Sequence, residues 1–184
     1  MGRDKLSLTV GGIPLVRRAA YALSAHCDEL LVVGAAEKSL TLPEARHVPD
    51  LRTGRQGPLA GIEAGLTAAR NPRVFVAAGD LPLLPRDLIG YLLDLLSREH
   101  ASAVVPRYED LHPLCAAYDC EIRANVSEAL DGGERSVSRF LYGLPDVRYV
   151  DEAELRMFGD PAVFLMNVNS PRDLEQARTY GGGA

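Results

Sequence analysis

Two aspartates, Asp50 and Asp80, are expected just past the ends of two short strands in the first half of the chain, where a carboxylate is well placed to bind a cation. The run at 74–79 ends in Asp80 and then breaks at Pro82 and Pro85. It is too short for a buried helix, and its Val and Phe are typical of a buried parallel strand. Ligands bind at the carboxyl edge of such sheets, and one carboxylate with substrate phosphates suits Mg²⁺. The plainer alternative is that Asp80 only starts a turn.

A glycine-bearing loop follows Asp50 and runs into a helix at Gly57-Pro58-Leu59. A loop of this kind before a helix can hold an anion on its backbone N–H groups, although most Gly-Pro loops are merely turns. Cations in loops that could border the same edge are Arg3, Lys5, Arg52 and Arg55. Together with a carboxylate for Mg²⁺, these groups indicate phosphate handling.

Two asparagines, Asn167 and Asn169, follow a third apolar run that we predict to be a strand at 163–166. They are expected on the same sheet edge as the aspartates. Ser170, three residues before Asp173, predicts a capping box, with Pro171 in the first helical position.

Apolar periodicity indicates alternating helices and strands over residues 14–98. This pattern predicts an α/β fold, a three-layer, doubly wound, Rossmann-like and mostly parallel sheet. We expect one domain over residues 1–180 and a flexible tail at 181–184. Helices are predicted at 14–26, from about 58 to 69, at 85–98, 121–131 and 136–143, and from 171. Strands are predicted at 30–33, 46–49, 74–78, 101–105, 114–118, 147–150 and 163–166.

The composition argues against several classes of protein. The net charge of −5 over 184 residues argues against a nucleic-acid-wrapping protein, which needs a basic face. Three cysteines without a C-x-x-C pair favour neither a disulfide framework nor a zinc site, so Cys115 and Cys120 are predicted to be core or near-core residues. No apolar run approaches 18 residues and no signal peptide opens the chain, so we expect a cytoplasmic protein without membrane contact.

Six short motifs in order give the chain a resemblance to the molybdenum cofactor guanylyltransferases. The Asn-Val-Asn-Ser-Pro and His-Pro elements are the more discriminating. The matching segments are Met1-Gly-Arg-Asp-Lys5, Val10-Gly-Gly-Ile-Pro-Leu15, Gly57-Pro-Leu-Ala-Gly61, Asp80-Leu-Pro82, His112-Pro-Leu114 and Asn167-Val-Asn-Ser-Pro171. The resemblance implies a nucleotidyltransferase fold. It also implies transfer of GMP from GTP to the phosphate of molybdopterin, with release of pyrophosphate.

The resemblance also implies roles for individual residues. Asp80 matches the Mg²⁺-binding aspartate, Lys5 a lysine that meets the nucleotide phosphates, and Asp50 an aspartate on the guanine side. The Gly57-Pro58-Leu59 segment falls on the nucleotide side. Asn167 and Asn169 match residues on the molybdopterin side. His112 is expected to be structural or a pterin-side contact, because the attacking phosphate is already ionised and needs no side-chain base.

The chain departs from the family at its start. The family carries a strand and a Leu-Ala-Gly-Gly-x-Ser-x-Arg segment ahead of Met-Gly-x-Asp-Lys, whereas this sequence begins at Met1. The strand would be a central one, so sheet edges without a partner are expected. A misassigned start, a truncation and a degenerate relative all remain open.

Other functions stay open beside guanylyl transfer. One is a nucleotidyltransferase that uses CTP as the donor or a molecule other than molybdopterin as the acceptor. Another is a non-catalytic protein that holds molybdopterin or nucleotide. GTP and molybdopterin are the implied small-molecule partners, and a molybdoenzyme or cofactor-insertion protein is a possible macromolecular one.

Overall fold

The computed structural model describes residues 5–34, 42–54 and 56–182. Nine strands are described in these ranges, in chain order: β1 (Thr9–Val10), β2 (Ile13–Pro14), β3 (Leu31–Val33), β4 (Arg46–Val48), β5 (Arg73–Ala77), β6 (Ala103–Tyr108), β7 (Asp110–Leu111), β8 (Cys115–Asp119) and β9 (Val147–Val150). Eight helices are described there as well: α1 (Leu15–Leu23), α2 (Pro58–Ala68), α3 (Arg86–Arg98), α4 (Arg123–Asp131), α5 (Val137–Gly143), α6 (Glu152–Leu155), α7 (Pro161–Phe164) and α8 (Pro171–Gly181). No helix within these ranges combines the length and the apolar character needed to cross a membrane.

The main sheet is mixed, and most of its strands run in one direction. β8 lies between β5 and β6 and is antiparallel to both, so β5 and β6 point the same way. β9 pairs with β6 in parallel, and the short β7 forms a hairpin on the end of β6. β3 and β4 form a separate parallel pair. The predicted Rossmann-like α/β sheet is therefore confirmed, with β5, β6 and β9 running one way and β7 and β8 reversed.

A cluster of charged contacts shows that β3, β4 and β5 begin at the same end. Glu29, just before β3, accepts hydrogen bonds from Arg46 of β4 (Nη2–Oε1, 2.7 Å) and from the Arg70 amide (3.1 Å) ahead of β5. Arg46 also donates to the Ala68 carbonyl at 2.6 Å. Because the three strand starts meet at Glu29, the carboxyl ends of the strands share the opposite edge.

Helices cover the sheet on both faces, which confirms the predicted three layers. On one face, α3 packs against β5, β6 and β8, with Leu88, Ile89 and Leu92 fully buried, and α1 packs against α3. On the other face, α2, α4 and α5 enclose Leu59, Leu66 and other buried residues. Strands buried on both faces explain the near-continuous apolar runs in the sequence.

The predicted strand at 163–166 is wrong, because residues 161–164 form the short helix α7. Asp160 caps this helix by accepting a hydrogen bond from the Ala162 amide at 3.1 Å, and Pro161 occupies the first helical position. An N-cap aspartate followed by proline favours a helix start over a strand. At the other end of the chain, Gly181 is the buried last residue of α8, so this helix extends into the predicted tail.

The predicted sheet edges without a partner are confirmed. Among the described residues, β3 pairs only with β4 and β5 pairs only with β8. One edge of each strand therefore carries no neighbouring strand in this part of the chain.

Candidate active site

Asp80 lies where the sequence predicts it, directly beyond the carboxyl end of β5, and its residue is only 8% exposed. The turn that carries it is tied to several elements. The Ala78 amide donates to the Leu114 carbonyl at 2.8 Å, and the Val168 amide donates to the Asp80 carbonyl at 3.0 Å. Arg18 of α1 donates to the Pro82 carbonyl at 2.9 Å. The carboxylate is thus held on a rigid support, as a metal-binding or catalytic side chain requires.

Gly79 allows the N-terminal part of the chain to approach this turn. A Cβ placed on Gly79 would lie 3.2 Å from a Cδ atom of Leu6, which is tighter than most real contacts. Leu6 belongs to the short 3₁₀ turn Lys5–Ser7. The backbone of Lys5 therefore lies near the end of β5, while the Lys5 side chain, Arg3 and Arg55 lie outside the described residues.

The structure brings the asparagine segment to Asp80 by a different route from the predicted one. Asn167 and Asn169 follow the helix α7 rather than a strand, but the buried Val168 between them bonds to Asp80. Asp173 accepts the amides of Asn169 (2.9 Å) and Ser170, which fixes the loop and completes the predicted capping box. These hydrogen bonds, first that from Asn169, lower the pKa of the Asp173 carboxyl below its ordinary range.

His112 lies beside a groove of about 250 Å³ between the β6–β7 hairpin and α7, called here the His112 groove. Its Nε2 is 3.1 Å from the Tyr108 carbonyl oxygen, so one ring nitrogen is already engaged with the backbone. Met166, the neighbour of Asn167, lines the same groove. The groove therefore adjoins the asparagine segment, and His112 has a fixed orientation toward it.

The start of α2 has the geometry of an anion-binding helix terminus. Gly57 precedes the helix with φ 74° and ψ −177°, and Pro58 is its first residue. No side chain of the described residues caps this end, and its first turn carries no acidic residue. The exposed amides and the helix dipole favour a negatively charged ligand here.

Replacing Gly57 by alanine is expected to lower the free energy of unfolding by about 1–3 kcal/mol, because its backbone conformation is essentially restricted to glycine. Urea denaturation measures the change. The matched control is Gly143→Ala, at the exposed end of α5, where a Cβ meets nothing within 4 Å. Equal stability of the Gly57 and Gly143 variants would contradict the strain assigned to Gly57.

Arg52 is not available to bind phosphate, contrary to its predicted role. Its guanidinium forms a two-pronged ion pair with Glu63 of α2, with Nε–Oε2 and Nη2–Oε1 distances of 2.7 Å. It also donates to Asp131 at 2.6 Å and to Ser127 of α4. Arg52 instead fastens the loop between β4 and α2 onto two helices, and so holds the segment that joins the exposed Asp50 to Gly57.

Sequence reasoning missed Glu63, although a signal was present. Glu63 is the single charged residue of α2, and it lies on the buried side of an otherwise apolar helix with only 6% exposure. A buried carboxylate requires a partner, and Arg52 supplies it. The hydrogen bonds from Arg52 lower the pKa of the Glu63 carboxyl below its ordinary value of 4.5.

The described residues thus bring together Asp80, the asparagine segment and the carboxyl ends of β3, β4 and β5. Asp50 follows β4 and lies at this same edge, with an exposed side chain. Within the described ranges, no three His, Cys, Asp or Glu side chains form a metal-binding group. The buried carboxylate of Asp80 nevertheless fits Mg²⁺, which commonly takes one or two protein carboxylates.

The sequence of the chain is similar to proteins of one family. Residues 1–147 match the model of the MobA-like NTP transferase domain. The chain is 36% identical over 179 residues to a probable molybdenum cofactor guanylyltransferase of Pelotomaculum thermopropionicum, covering 97% of this chain and 85% of the relative. It is 31% identical to the molybdenum cofactor guanylyltransferase of Syntrophotalea carbinolica, covering 100% of this chain and 87% of the relative.

A solved structure that resembles this chain has a name that agrees with those of the sequence relatives. Molybdopterin-guanine dinucleotide biosynthesis protein A from Archaeoglobus fulgidus superimposes with a TM-score of 0.82 at 26% identity, covering 97% of this chain and 91% of that chain. The chain belongs to the MobA-like NTP transferase family and, within it, to the molybdenum cofactor guanylyltransferases.

Proposed function

We propose that this chain transfers GMP from GTP to the terminal phosphate of molybdopterin, forming the guanine dinucleotide cofactor and releasing pyrophosphate. The observation that carries the proposal is the buried Asp80 at the carboxyl end of β5, with the asparagine segment bonded to its backbone. Family membership supplies the substrates, since the relatives are named for guanylyl transfer to the molybdenum cofactor.

The reaction needs little from side chains beyond position and charge. An oxygen of the molybdopterin phosphate attacks the α-phosphorus of GTP, and the bond from that phosphorus to the β-phosphate bridging oxygen breaks. The nucleophile is ionised at neutral pH, so no general base is required. The barrier is chiefly the repulsion between two anions, which positioning and opposite charge reduce.

The roles that we assign follow from where each residue lies. Asp80 would hold Mg²⁺, which when bound neutralises charge on the phosphates and the leaving pyrophosphate. The amides that begin α2 at Gly57-Pro58-Leu59, and Lys5, would receive the nucleotide phosphates. Asp50 would contact the guanine side of the nucleotide.

The His112 groove provides a place for the acceptor. It runs from His112 to Met166, which is the sequence neighbour of Asn167. We assign this side to molybdopterin, with His112 as a pterin-side contact. The reaction is proposed to occur in the cytoplasm, which the three free cysteines support because reducing compartments keep thiols unpaired. A molybdoenzyme or cofactor-insertion protein is the proposed recipient of the product.

The proposal is tested by incubating the purified chain with molybdopterin, Mg²⁺ and each of the four nucleoside triphosphates, and by measuring pyrophosphate release together with dinucleotide formation. GTP is expected to be the preferred donor. Preference for CTP would assign the chain to cytidylyl transfer. Absence of pyrophosphate release from a folded chain that still binds molybdopterin would support a non-catalytic holding function.

Replacing Asn169 by alanine is expected to raise the KM for molybdopterin roughly tenfold while changing the affinity for GTP less, because one polar contact on the acceptor side is lost. Steady-state kinetics with each substrate varied in turn measure the difference. Asn125→Ala, on the exposed face of α4, is the matched control. Equal losses for both substrates would argue against separate nucleotide and acceptor sides.

A further inference from the structure

The His112 groove has one apolar wall and one polar wall. The apolar wall comes from α7 and the residues after it, with Pro161 and Leu165 buried and Met166 half-buried. The polar wall comes from the β6–β7 hairpin, through Tyr108, Glu109, Asp110 and His112. Small-molecule sites typically combine apolar surface with a few polar groups that fix the orientation of the ligand. The groove therefore suits a flat ring with apolar faces and a polar edge.

The pairing of the hairpin determines the direction of the Asp110 side chain. Asp110 is the register partner of Tyr108, so the two side chains lie on the same face of the hairpin. Tyr108 packs on that face against the core cluster that contains Phe164 and Leu165. Glu109 forms the tip between them with φ 58°, a backbone conformation that few residues other than glycine adopt. The exposed carboxylate of Asp110 therefore stands on the polar wall, opposite α7.

The hairpin is fixed by backbone contacts that leave this carboxylate available. The His112 amide donates to the Pro106 carbonyl at 2.9 Å, and His112 Nε2 lies 3.1 Å from the Tyr108 carbonyl oxygen. Within the described ranges, no hydrogen bond or ion pair engages the Asp110 side chain. A carboxylate on a rigid support, without a partner in the protein, is well placed to fix the orientation of a ligand.

The charge of the groove distinguishes between the two ends of the acceptor. Glu109 and Asp110 are acidic, and no lysine or arginine among the described residues lines the groove. Arg156 lies close enough to Tyr108 to interact electrostatically, but it is paired with Glu152 at 2.6 Å. Because like charges repel, the groove disfavours a phosphate and favours a neutral group that carries hydrogen-bond donors.

The phosphate end has a place immediately beyond the groove. Met166 lines the groove, and Val168, two residues further on, donates its amide to the Asp80 carbonyl at 3.0 Å. Two residues span at most about 7 Å, so the end of the groove at Met166 closely adjoins the Asp80 turn. A ligand that lies along the groove therefore extends past Asn167 toward Asp80.

The acceptor carries a group that matches the Asp110 carboxylate. The pyrimidine ring of a pterin is flat, and its outer edge presents two adjacent N–H donors, one from the 2-amino group and one from N3. An ionised carboxylate has two acceptor oxygens that can receive both donors side by side. We propose that Asp110 binds this edge, so that the pterin ring of molybdopterin lies in the His112 groove and its phosphate reaches Asp80.

The first test uses 6-hydroxymethylpterin, which has the pyrimidine edge but no phosphate. It is titrated into the isotope-labelled full chain without GTP or Mg²⁺, and amide chemical shifts measured by NMR detect even weak binding. We expect saturable shifts at Tyr108, Asp110 and Met166. Little change is expected at the Arg70 amide, which is bonded to Glu29 at the opposite end of the sheet. Absence of saturable shifts, or shifts confined to other segments, would overturn the proposal.

A change in the ring edge tests the donor pair itself. 6-Hydroxymethyllumazine has an oxygen in place of the 2-amino group, so it would place an acceptor against the Asp110 carboxylate. We expect it to bind more weakly than the pterin by about tenfold or more, because a charge-assisted hydrogen bond is lost and two oxygens face each other. Equal binding of the two compounds would exclude Asp110 as the group that reads this edge.

Replacing Asp110 by asparagine is expected to abolish the preference for the pterin. An amide side chain offers one acceptor and one donor, which suit the lumazine edge better than the pterin edge. A change of preference between two ligands is a result that a merely structural role of Asp110 would not produce. Asp146→Asn is the matched control, since Asp146 is exposed and directly precedes β9 at the other end of the sheet. A preference retained in the Asp110→Asn chain would overturn the proposal.

Steady-state kinetics separate this inference from the proposed function, on which the identity of its ligand rests. Asp110→Asn is expected to raise the KM for molybdopterin roughly tenfold and to leave kcat and the KM for GTP nearly unchanged. Guanylyl transfer with an unaltered KM for molybdopterin would overturn the role of Asp110 while the proposed function stands. Pterin binding that depends on Asp110, in a folded chain that releases no pyrophosphate, would reject guanylyl transfer and support the pterin site.

Discussion

Replacing Asp80 by asparagine is expected to lower the rate of guanylyl transfer by on the order of 10²-fold or more, the effect of losing a strong electrostatic contact in an active site. The expectation rests on position and burial, since Asp80 is 8% exposed and lies just beyond the carboxyl end of β5. Asparagine has nearly the same shape but no charge, so it weakens the attraction for a divalent cation while retaining the packing.

Single-turnover measurement of pyrophosphate release at saturating Mg²⁺ and GTP separates this effect from changes in binding. The backbone bond from Val168 to the Asp80 carbonyl does not depend on the side chain, so the turn is expected to stay in place. Asp87→Asn makes the same exchange at an exposed position in the first turn of α3 and should leave the rate unchanged. An unchanged rate in the Asp80 variant would reduce Asp80 to a turn residue.

The edge of the sheet that carries Asp50 and Asp80 was predictable because its signals are local. Each aspartate follows a predicted short strand, and strands that alternate with helices specify a parallel sheet in which the strand ends coincide. The reversed direction of β8 was not predictable in this way. A strand in an antiparallel pair can have the same local sequence pattern as a strand in a parallel pair. Its direction depends on the path of the connection that leads the chain back to the sheet.

The segment at 161–166 shows why short apolar runs mislead. The run Val163-Phe-Leu-Met166 has the composition of a strand, yet the structure places a helix across its first half. Asp160 and Pro161 carried the correct helix-start signal, but a four-residue run gives too few periods to decide between helix and strand. The asparagines reach Asp80 nonetheless, through a tertiary hydrogen bond that no local pattern encodes.

Arg52 failed as a predicted phosphate ligand for a different physical reason. Its partners Glu63 and Asp131 are 11 and 79 residues away, so the ion pairs exist only once α2 and α4 pack together. A loop arginine near a glycine looks the same in the sequence whether it faces a ligand or a buried carboxylate. Only Glu63, a charged residue in the otherwise apolar helix α2, indicated that Arg52 pairs with a buried carboxylate.

Replacing Glu63 by glutamine is expected to lower the free energy of unfolding at pH 7 by about 2 kcal/mol, because it removes a charged, two-pronged hydrogen-bonded pair from a buried position. Glutamine keeps the size of the side chain, so the loss reports charge and hydrogen bonding rather than a cavity. Urea denaturation of both chains at a series of pH values measures the difference.

The pH dependence of that difference gives the sharper test. Arg52 lowers the pKa of Glu63 in the folded state below its ordinary value of 4.5. A carboxyl with a lowered folded-state pKa binds fewer protons in the folded chain, so its stabilisation is fully present above the unfolded-state pKa. It is lost as the pH falls through the lower folded-state value. The stability gap between the two chains should therefore be constant near neutrality and should close below about pH 4.5.

A surface pair supplies the control for this prediction. Glu152 and Arg156 form an ion pair of similar length, 2.6 Å, but both side chains are at least half exposed. Water screens such pairs, so Glu152→Gln is expected to change stability little at any pH. If Glu63→Gln behaved like Glu152→Gln, the buried pair would contribute no more than a surface contact. The loop between Asp50 and Gly57 would then owe its position to backbone geometry instead of to Arg52.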